Sequence, residues 1–185
     1  MNRLFLTSLI ILLITGCDNS SSKKKTRNRT VNGISLIEYS VNKTYPHSTD
    51  SYTQGFLFHN NKLYESTGSP ENHPNTRSVI GIVDLETGKI DVKIEIDKNK
   101  YFGEGILIFN NKLYQLTYKN QLGFIYDAQD FKQIGTFNYS NKEGWGMTTD
   151  GSSIIVSDGT NFISYWDPDS LNEIKKLNIT YNGAS

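Results

Sequence analysis

The stretch at positions 54–64 reads Gln-Gly-Phe-Leu-Phe-His-Asn-Asn-Lys-Leu-Tyr, and a close copy, Glu-Gly-Ile-Leu-Ile-Phe-Asn-Asn-Lys-Leu-Tyr, occupies positions 104–114. A weaker copy, Trp-Gly-Met-Thr-Thr-Asp-Gly-Ser-Ser-Ile-Ile, begins at Trp145. In each copy an X-Gly pair is followed, eight residues after the glycine, by an apolar pair. The three copies start 50 and 41 residues apart and therefore define an internal repeat.

The remainder of each repeat contains an aspartate at the end of a short apolar run, followed by a polar turn. These aspartates are Asp84, Asp127 and Asp167, and we expect them to be structural. The extra length of the first repeat falls in the polar loop 68–78. A period of about 42 residues with four short strands per repeat is typical of a β-propeller blade. We therefore predict an all-β protein, a β-propeller of which about three blades are present.

The strands of the second repeat can be assigned from the alternation of apolar residues. The Asn-Asn pairs at 60–61 and 110–111 suit tight hairpin turns, because asparagine tolerates the left-handed backbone region. The predicted strands run from inner to outer as Gly105–Phe109, Lys112–Thr117, Leu122–Asp127 and Phe131–Tyr139. The third repeat is expected to end with an outer strand at Glu173–Thr180.

The number of blades predicts further sequence beyond Ser185. A propeller ring closes with at least four blades, whereas three repeats are present. The segment Gly33–Tyr45 is predicted to be the outer strand of a further blade. The other strands of that blade would come from the C-terminal end of the chain. We expect the chain to be N-terminally complete but C-terminally truncated, with about two further blades, on the order of 80 residues, after Ser185.

The N-terminus predicts export and lipid anchoring. Arg3 precedes the apolar run Leu4–Ile14, which at about 11 residues is shorter than the ~20 needed to cross a bilayer. Leu13-Ile14-Thr15-Gly16-Cys17 is similar to a bacterial lipobox, so residues 1–17 are predicted to be a signal peptide and Cys17 the lipidated residue. The alternative is an ordinary secretory signal ending at a chance cysteine. The expected location is the bacterial cell envelope, facing the periplasm, on either membrane.

Composition divides the rest of the chain into a tether and a domain. Residues 18–30 contain no large apolar side chain and carry five basic residues, so we predict a flexible tether, either solvated or attracted to anionic lipid. Residues 31–185, the predicted propeller domain, carry 13 basic and 18 acidic residues. This acidic balance excludes nucleic acid as an expected partner.

The repeat also predicts where a functional site lies. Gln54, Glu104 and Trp145 occupy equivalent positions of successive inner strands, so we expect them to converge at one mouth of the central channel. Glu104 is flanked by Gly103 and Gly105, and glycine occurs in strands where backbones or ligands approach closely. The residues alone leave two alternatives open: Glu104 is catalytic or caps backbone amides, and Gln54 binds a ligand or ties inner strands together.

Six short motifs in order resemble the plant-type and bacterial glutaminyl-peptide cyclotransferases, also called glutaminyl cyclases. They are Tyr-Thr-Gln-Gly (52–55), Tyr-Glu-Ser-Thr-Gly (64–68), Phe-Gly-Glu-Gly (102–105), Gln-Leu-Thr-Tyr-Lys (115–119), Gly-Trp-Gly-Met (144–147) and Ser-Asp-Gly (157–159). The Ser-Asp-Gly motif is expected to be a turn rather than part of a site. The resemblance implies a five-bladed propeller that converts N-terminal glutamine to pyroglutamate with release of ammonia.

The resemblance also implies roles for individual residues. Glu104 would be the acid/base residue and Gln54 would polarise the substrate, while four aromatic residues would wall the pocket: Tyr52, Phe102, Tyr118 and Trp145. The family usually has tryptophan where this chain has Tyr118, and Pro-His-Asp-Pro where it has Pro-His-Ser-Thr at 46–49.

The expected partners are peptides or proteins with N-terminal glutamine, bound by a monomer that contacts membrane only through its anchor. No cofactor or metal is expected, since His47, His59 and His73 are irregularly spaced and are predicted to be ordinary surface residues. Two other classes stay open from the residues: a non-catalytic envelope-anchored propeller that binds peptides or envelope components, and a misfolding remnant with open strand edges.

Overall fold

Three four-stranded antiparallel sheets follow one another along the chain. The computed structural model describes residues 30–31 and 33–180. Each sheet is a simple meander in which consecutive strands pair, and this confirms the prediction of an all-β, partial β-propeller. The first blade contains β3 (Tyr52–His59), β4 (Lys62–Gly68), β5 (Val79–Val83) and β6 (Ile90–Glu95). The second blade contains β7 (Gly103–Phe109), β8 (Lys112–Thr117), β9 (Leu122–Asp127) and β10 (Gln133–Asn138). The third blade contains β11 (Met147–Thr149), β12 (Ile154–Ser157), β13 (Phe162–Trp166) and β14 (Glu173–Asn178).

The hairpin turns adopt the predicted backbone geometry. Asn60 and Asn61 have φ angles of 47° and 58°, and Asn110 and Asn111 have φ angles of 49° and 60°. Positive φ at both central residues is the type I′ turn, whose twist matches that of the flanking strands. The outer strand of the second blade begins at Gln133 rather than at the predicted Phe131, because Phe131 has a φ of 60°, which a strand does not allow.

The repeated aspartates are structural, as predicted. Each carboxylate accepts two backbone N–H hydrogen bonds from the turn that follows it. Asp84 accepts them at 2.9 and 3.1 Å, Asp127 at 2.8 and 3.1 Å, and Asp167 at 3.2 and 2.8 Å. The donating amides lie in the turn between the third and fourth strands of each blade, where no strand pairs with them. The aspartate supplies the hydrogen-bond acceptor that they need.

Apolar side chains fill the two interfaces between neighbouring blades. Because side chains alternate across a strand, β7 and β8 direct Ile106 and Leu113 towards the first blade, and Leu107 and Tyr114 towards the third. The first interface also contains Tyr64, Ile80, Ile94, Phe124 and Tyr126, and the second contains Leu116, Phe137, Tyr139, Ile154, Val156 and Trp166. The second blade is therefore covered on both faces.

The inner strands β3, β7 and β11 lie side by side. The Gly105 N–H donates a hydrogen bond to the carbonyl oxygen of Trp145 at 2.8 Å, and Ser66 Oγ donates to the carbonyl oxygen of Glu104 at 2.5 Å. A Cβ atom at position 105 would lie 2.4 Å from the Trp145 carbonyl oxygen. Glycine at 105 therefore permits the second and third blades to approach this closely.

Contacts divide the chain after Tyr39 into two units. In the first unit, β1 (Thr30–Val31) pairs with β2 (Ile34–Ser35) around Gly33, whose φ is 81°. Of the predicted outer strand Gly33–Tyr45, Ile34–Ser35 forms β2, and residues 36–48 pair with no strand in the described part of the chain. Pairing of this segment with a later blade stays a prediction. Thr30, the last residue of the predicted tether, lies in β1.

Several predictions concern residues outside the described part of the chain. The signal peptide at 1–17, its Cys17, and tether residues 18–29 lie outside the described residues. Within residues 30–31 and 33–180, no helix has the length and apolar character needed to span a membrane.

Candidate active site

A pocket of about 490 Å³ opens where the inner strands begin. Tyr52 and Gln54 reach it from β3, and Phe102 and Glu104 from the start of β7. The remaining lining residues are Tyr118, which follows β8, the pair Trp145-Gly146 ahead of β11, and Ser157 at the end of β12. All six substrate-site residues predicted from the sequence therefore line one pocket, while their individual roles stay predictions.

Matching β-bulges aim the two polar residues into this pocket. In β3 the pairing register shifts between Thr53 and Gly55, so that Gln54 has no partner in β4. In β7 the register shifts between Gly103 and Ile106, which leaves Glu104 in the irregular segment. A bulge bends the strand and redirects a side chain, and it occurs here at the same position of two successive repeats.

Glu104 is a buried acid with an altered pKa. Its exposed fraction is 7%. Burial, which disfavours the charged carboxylate, is the main cause that raises its pKa from 4.5 to about 8, and the nearby negative charge of Glu143 adds to this effect. A carboxyl group with this pKa exchanges protons readily near neutral pH.

Aromatic rings form one wall of the pocket. The ring centroid of Phe102 lies 6.1 Å from that of Tyr52 and 6.0 Å from that of Tyr118. These separations lie within the range of favourable edge-to-face and tilted ring contacts. The two contacts join residues of the first and second blades into a continuous apolar surface beside Glu104.

Trp145 is held by two contacts that the sequence analysis missed. Its indole Nε1 donates a hydrogen bond to Glu143 Oε2 at 2.9 Å. Behind the ring lies Gly159, where a Cβ atom would stand 2.4 Å from the indole and where φ is 76°. In the sequence, Glu143 is visible only as an acidic residue directly before the Gly-Trp-Gly motif. Its position does not reveal that its carboxylate contacts the Trp145 indole.

Ser157 has a larger part in the site than predicted. The Ser-Asp-Gly motif does leave β12 in a turn, as expected, and Asp158 is buried in it, where it accepts a hydrogen bond from Asn141 Nδ2 at 2.9 Å. Ser157 nevertheless lines the pocket and accepts the Gly146 N–H at 3.0 Å. The motif therefore combines a turn with one wall of the pocket.

His47, predicted like His59 and His73 to be an ordinary surface residue, is exposed but contacts a buried side chain. His47 Nε2 lies 3.0 Å from Glu65 Oε1, and Glu65 is completely buried and also accepts a hydrogen bond from Thr53 Oγ1 at 2.6 Å. A buried carboxylate requires such partners, which explains the contact. His73 stacks on Tyr52 with ring centroids 6.0 Å apart. Over residues 30–31 and 33–180, no group of three or more His, Cys, Asp or Glu side chains is arranged to hold a metal ion.

The fold and the site together define a partial β-propeller with a buried acid in an aromatic pocket at the start of its inner strands. The chain belongs to the glutamine cyclotransferase family, whose model matches residues 9–185. It is 36% identical over 149 residues to the glutaminyl-peptide cyclotransferase of Arabidopsis thaliana, an alignment that covers 80% of this chain and 45% of that protein.

A solved structure agrees with this assignment. The crystal structure of Myxococcus xanthus glutaminyl cyclase superposes with a TM-score of 0.63 at 27% identity, covering 76% of this chain and 56% of that one. A Kuenenia stuttgartiensis hydrazine synthase structure, at 14% identity and a TM-score of 0.51 over 77% of this chain and 40% of that one, shares the fold alone. The chain thus spans about half the length of the glutaminyl cyclases that it matches.

Proposed function

We propose that the protein is a glutaminyl-peptide cyclotransferase, which converts N-terminal glutamine of peptides and proteins to pyroglutamate and releases ammonia. The observation that carries the proposal is a buried acid, Glu104, with a pKa of about 8 in an aromatic pocket. Membership of the glutamine cyclotransferase family supports the same reaction.

The reaction requires one proton to move between two nitrogen atoms. The α-amine nitrogen forms a bond to the side-chain amide carbon, and the bond from that carbon to the amide nitrogen breaks, so that the products are pyroglutamate and ammonia. The Glu104 carboxylate accepts a proton from the attacking amine and then delivers one to the departing nitrogen. The carboxylate is regenerated at the end of each cycle.

The pKa of Glu104 suits this transfer. A free α-amine has a pKa of roughly 7.7–8.0, which is close to the value of about 8 for Glu104. Near pH 8, about half of the peptide therefore carries the neutral amine that attacks, and about half of Glu104 is the carboxylate that accepts the proton.

The aromatic wall has two functions in this mechanism. Tyr52, Phe102 and Tyr118 form an apolar surface that limits the access of water to the substrate amide and so disfavours its hydrolysis to glutamate. The same surface keeps the glutamine side chain folded towards its own amine, which favours closure of the five-membered ring. Gln54, placed by its bulge in the same pocket, polarises the substrate amide through hydrogen bonds.

The proposal is tested by ammonia release from a peptide with N-terminal glutamine. We expect Glu104→Gln to lower kcat by about 10²–10⁴-fold, the usual contribution of a general acid/base, with little effect on KM. Glu86→Gln, at an exposed turn of the first blade, is the matched control and should keep full activity. An N-acetylated glutamine peptide should not react, because its nitrogen cannot attack. Full activity of Glu104→Gln would refute the assignment.

We also propose that the reaction uses no metal. The proton transfers above are complete with Glu104 alone, and no step needs a Lewis acid. Activity should therefore persist after prolonged treatment with a chelator, and loss of activity that zinc restores would contradict this part of the proposal.

We propose further that the protein is lipid-anchored at the bacterial cell envelope through Cys17. The support is the apolar run at 4–14 and the lipobox-like residues that precede Cys17. Cells grown with a labelled fatty acid should incorporate the label into the protein but not into the Cys17→Ser variant. Labelling of that variant would contradict the anchor.

A further inference from the structure

A second pocket adjoins the candidate active site on the side of its aromatic wall. It has a volume of about 320 Å³ and shares Phe102 and Tyr118 with the first pocket. Its rim carries three lysines, Lys98, Lys100 and Lys119. We call it the lysine pocket. The two pockets therefore share part of their walls.

The charge of the lysine pocket contrasts with that of the domain. Three ammonium groups and one carboxylate, that of Glu71, line it, whereas residues 31–185 carry 13 basic and 18 acidic residues. Lys100 Nζ lies 3.7 Å from a carboxylate oxygen of Asp97, which leaves the other two ammonium groups as the main source of positive charge.

Two of the lysines are positioned by specific contacts. Lys98 Nζ donates hydrogen bonds to the carbonyl oxygens of Pro74 at 2.9 Å and Thr76 at 3.0 Å. Lys119 Nζ lies 4.5 Å from the ring centroid of Tyr118, within the range of a cation–π contact. The ammonium group of Lys119 is thus held against a ring that lines both pockets.

The geometry of the reaction connects the two pockets. With the N-terminal glutamine beside Glu104, a peptide chain that leaves the first pocket past the shared residues Phe102 and Tyr118 enters the lysine pocket. The side chain of the second residue then comes within reach of the lysine rim. A carboxylate there gains attraction from partly exposed ammonium groups, and a cationic side chain is repelled.

We propose that the lysine pocket is a substrate subsite that receives the residue after the N-terminal glutamine and favours aspartate or glutamate there. This inference rests on the proposed cyclotransferase function. Lys119 is the residue expected to contribute most to the preference, because it lies directly on the shared wall.

The test compares amidated peptides that differ only at the second position. Gln-Glu, Gln-Gln and Gln-Lys sequences provide an acidic, an isosteric neutral and a basic side chain. We expect kcat/KM to be about 3-fold higher for Gln-Glu than for Gln-Gln and lower again for Gln-Lys, which is the range of a partly exposed ion pair. The preference should weaken at 1 M salt, where the screening length falls to ~3 Å.

Variants at two exposed lysines distinguish the subsite from a general charge effect. Lys119→Glu should reverse the order of Gln-Glu and Gln-Lys. Lys112→Glu changes the formal charge equally at the opposite end of β8 and should preserve the order. Equal kcat/KM for the three peptides, or reversal by both variants, would overturn the proposal.

A binding measurement separates this proposal from the proposed reaction. Calorimetric titration of the Glu104→Gln protein with the same peptides reports the subsite without turnover. Tighter binding of Gln-Glu with no ammonia release from the wild-type protein would refute the reaction and support the subsite. Ammonia release with no difference among the three peptides in either assay would refute the subsite but not the reaction. If none of the peptides binds, the subsite is refuted too.

Discussion

Replacing Glu104 with glutamine should stabilise the folded protein at high pH while it removes the proposed acid/base group. The pKa of Glu104 is about 8 in the folded protein and 4.5 for an ordinary glutamate. Between these two values the unfolded chain releases a proton that the folded protein retains. The free energy of unfolding of the wild type therefore falls as the pH rises through this window.

The magnitude follows from the two pKa values. The interval from 4.5 to about 8, at ~1.4 kcal/mol per pH unit, corresponds to about 5 kcal/mol of stability lost between those pH values. Glutamine has nearly the same shape and no charge, so the variant lacks this loss. The two proteins should be nearly equally stable at pH 4, and the variant should be more stable by up to about 5 kcal/mol at pH 9.

The assay is urea unfolding of both proteins at half-unit steps from pH 4 to pH 9. Subtracting the two curves removes the titration of groups that the substitution does not affect. Glu95→Gln is a control in which the pKa shift has the opposite direction, because Arg77 donates a hydrogen bond to Glu95 at 2.8 Å and lowers the pKa of Glu95. That surface pair should contribute no more than about 1 kcal/mol, with no change between pH 5 and pH 8. A flat difference between Glu104→Gln and the wild type over the same range would refute the burial argument.

Three further perturbations test other parts of the structure. Glu143→Gln removes a negative charge that raises the pKa of Glu104, so the rising limb of the kcat/KM profile against pH should move to lower pH, and an unmoved limb would contradict the coupling. Gly159→Ala introduces a side chain at φ 76° against the Trp145 ring and should cost about 1–3 kcal/mol in urea unfolding, with a change in tryptophan fluorescence. Leu113→Ala, at a position that is completely buried between two blades, should cost about 2–5 kcal/mol, and a loss below 1 kcal/mol would indicate that the interface is not closely packed.

Features set by local chemistry could be predicted from the sequence. The Asn60-Asn61 and Asn110-Asn111 turns need positive φ, and asparagine is among the residues that accept it. The aspartate turns depend on residues two and three positions away. The convergence of Gln54, Glu104 and Trp145 followed from the repeat itself, because equivalent positions of successive blades lie next to one another.

Features that depend on pairing between distant segments could not be predicted. The conformation of segment 36–45 depends on a neighbouring strand, and the described part of the chain supplies none. The bulges at Gln54 and Glu104 are irregularities of register, which no pattern within one strand reveals. The influence of Glu143 on Glu104 depends on their separation in space, and the contact of His47 with Glu65 joins a loop to a strand 18 residues away.

The position of Glu104 in the middle blade explains how a carboxyl group acquires a pKa near 8 in this fold. The second blade is packed on both faces, and Gly105 allows the backbone that carries Trp145 to lie against the strand that carries Glu104. The bulge then turns the carboxyl group into the pocket, where neighbouring blades have already displaced most of the surrounding water. The close packing of the blades thus produces both the stability cost of an ionised Glu104 and its capacity to exchange protons near neutral pH. A substitution that loosens this packing should therefore lower the pKa of Glu104 even when it leaves every lining residue of the pocket unchanged.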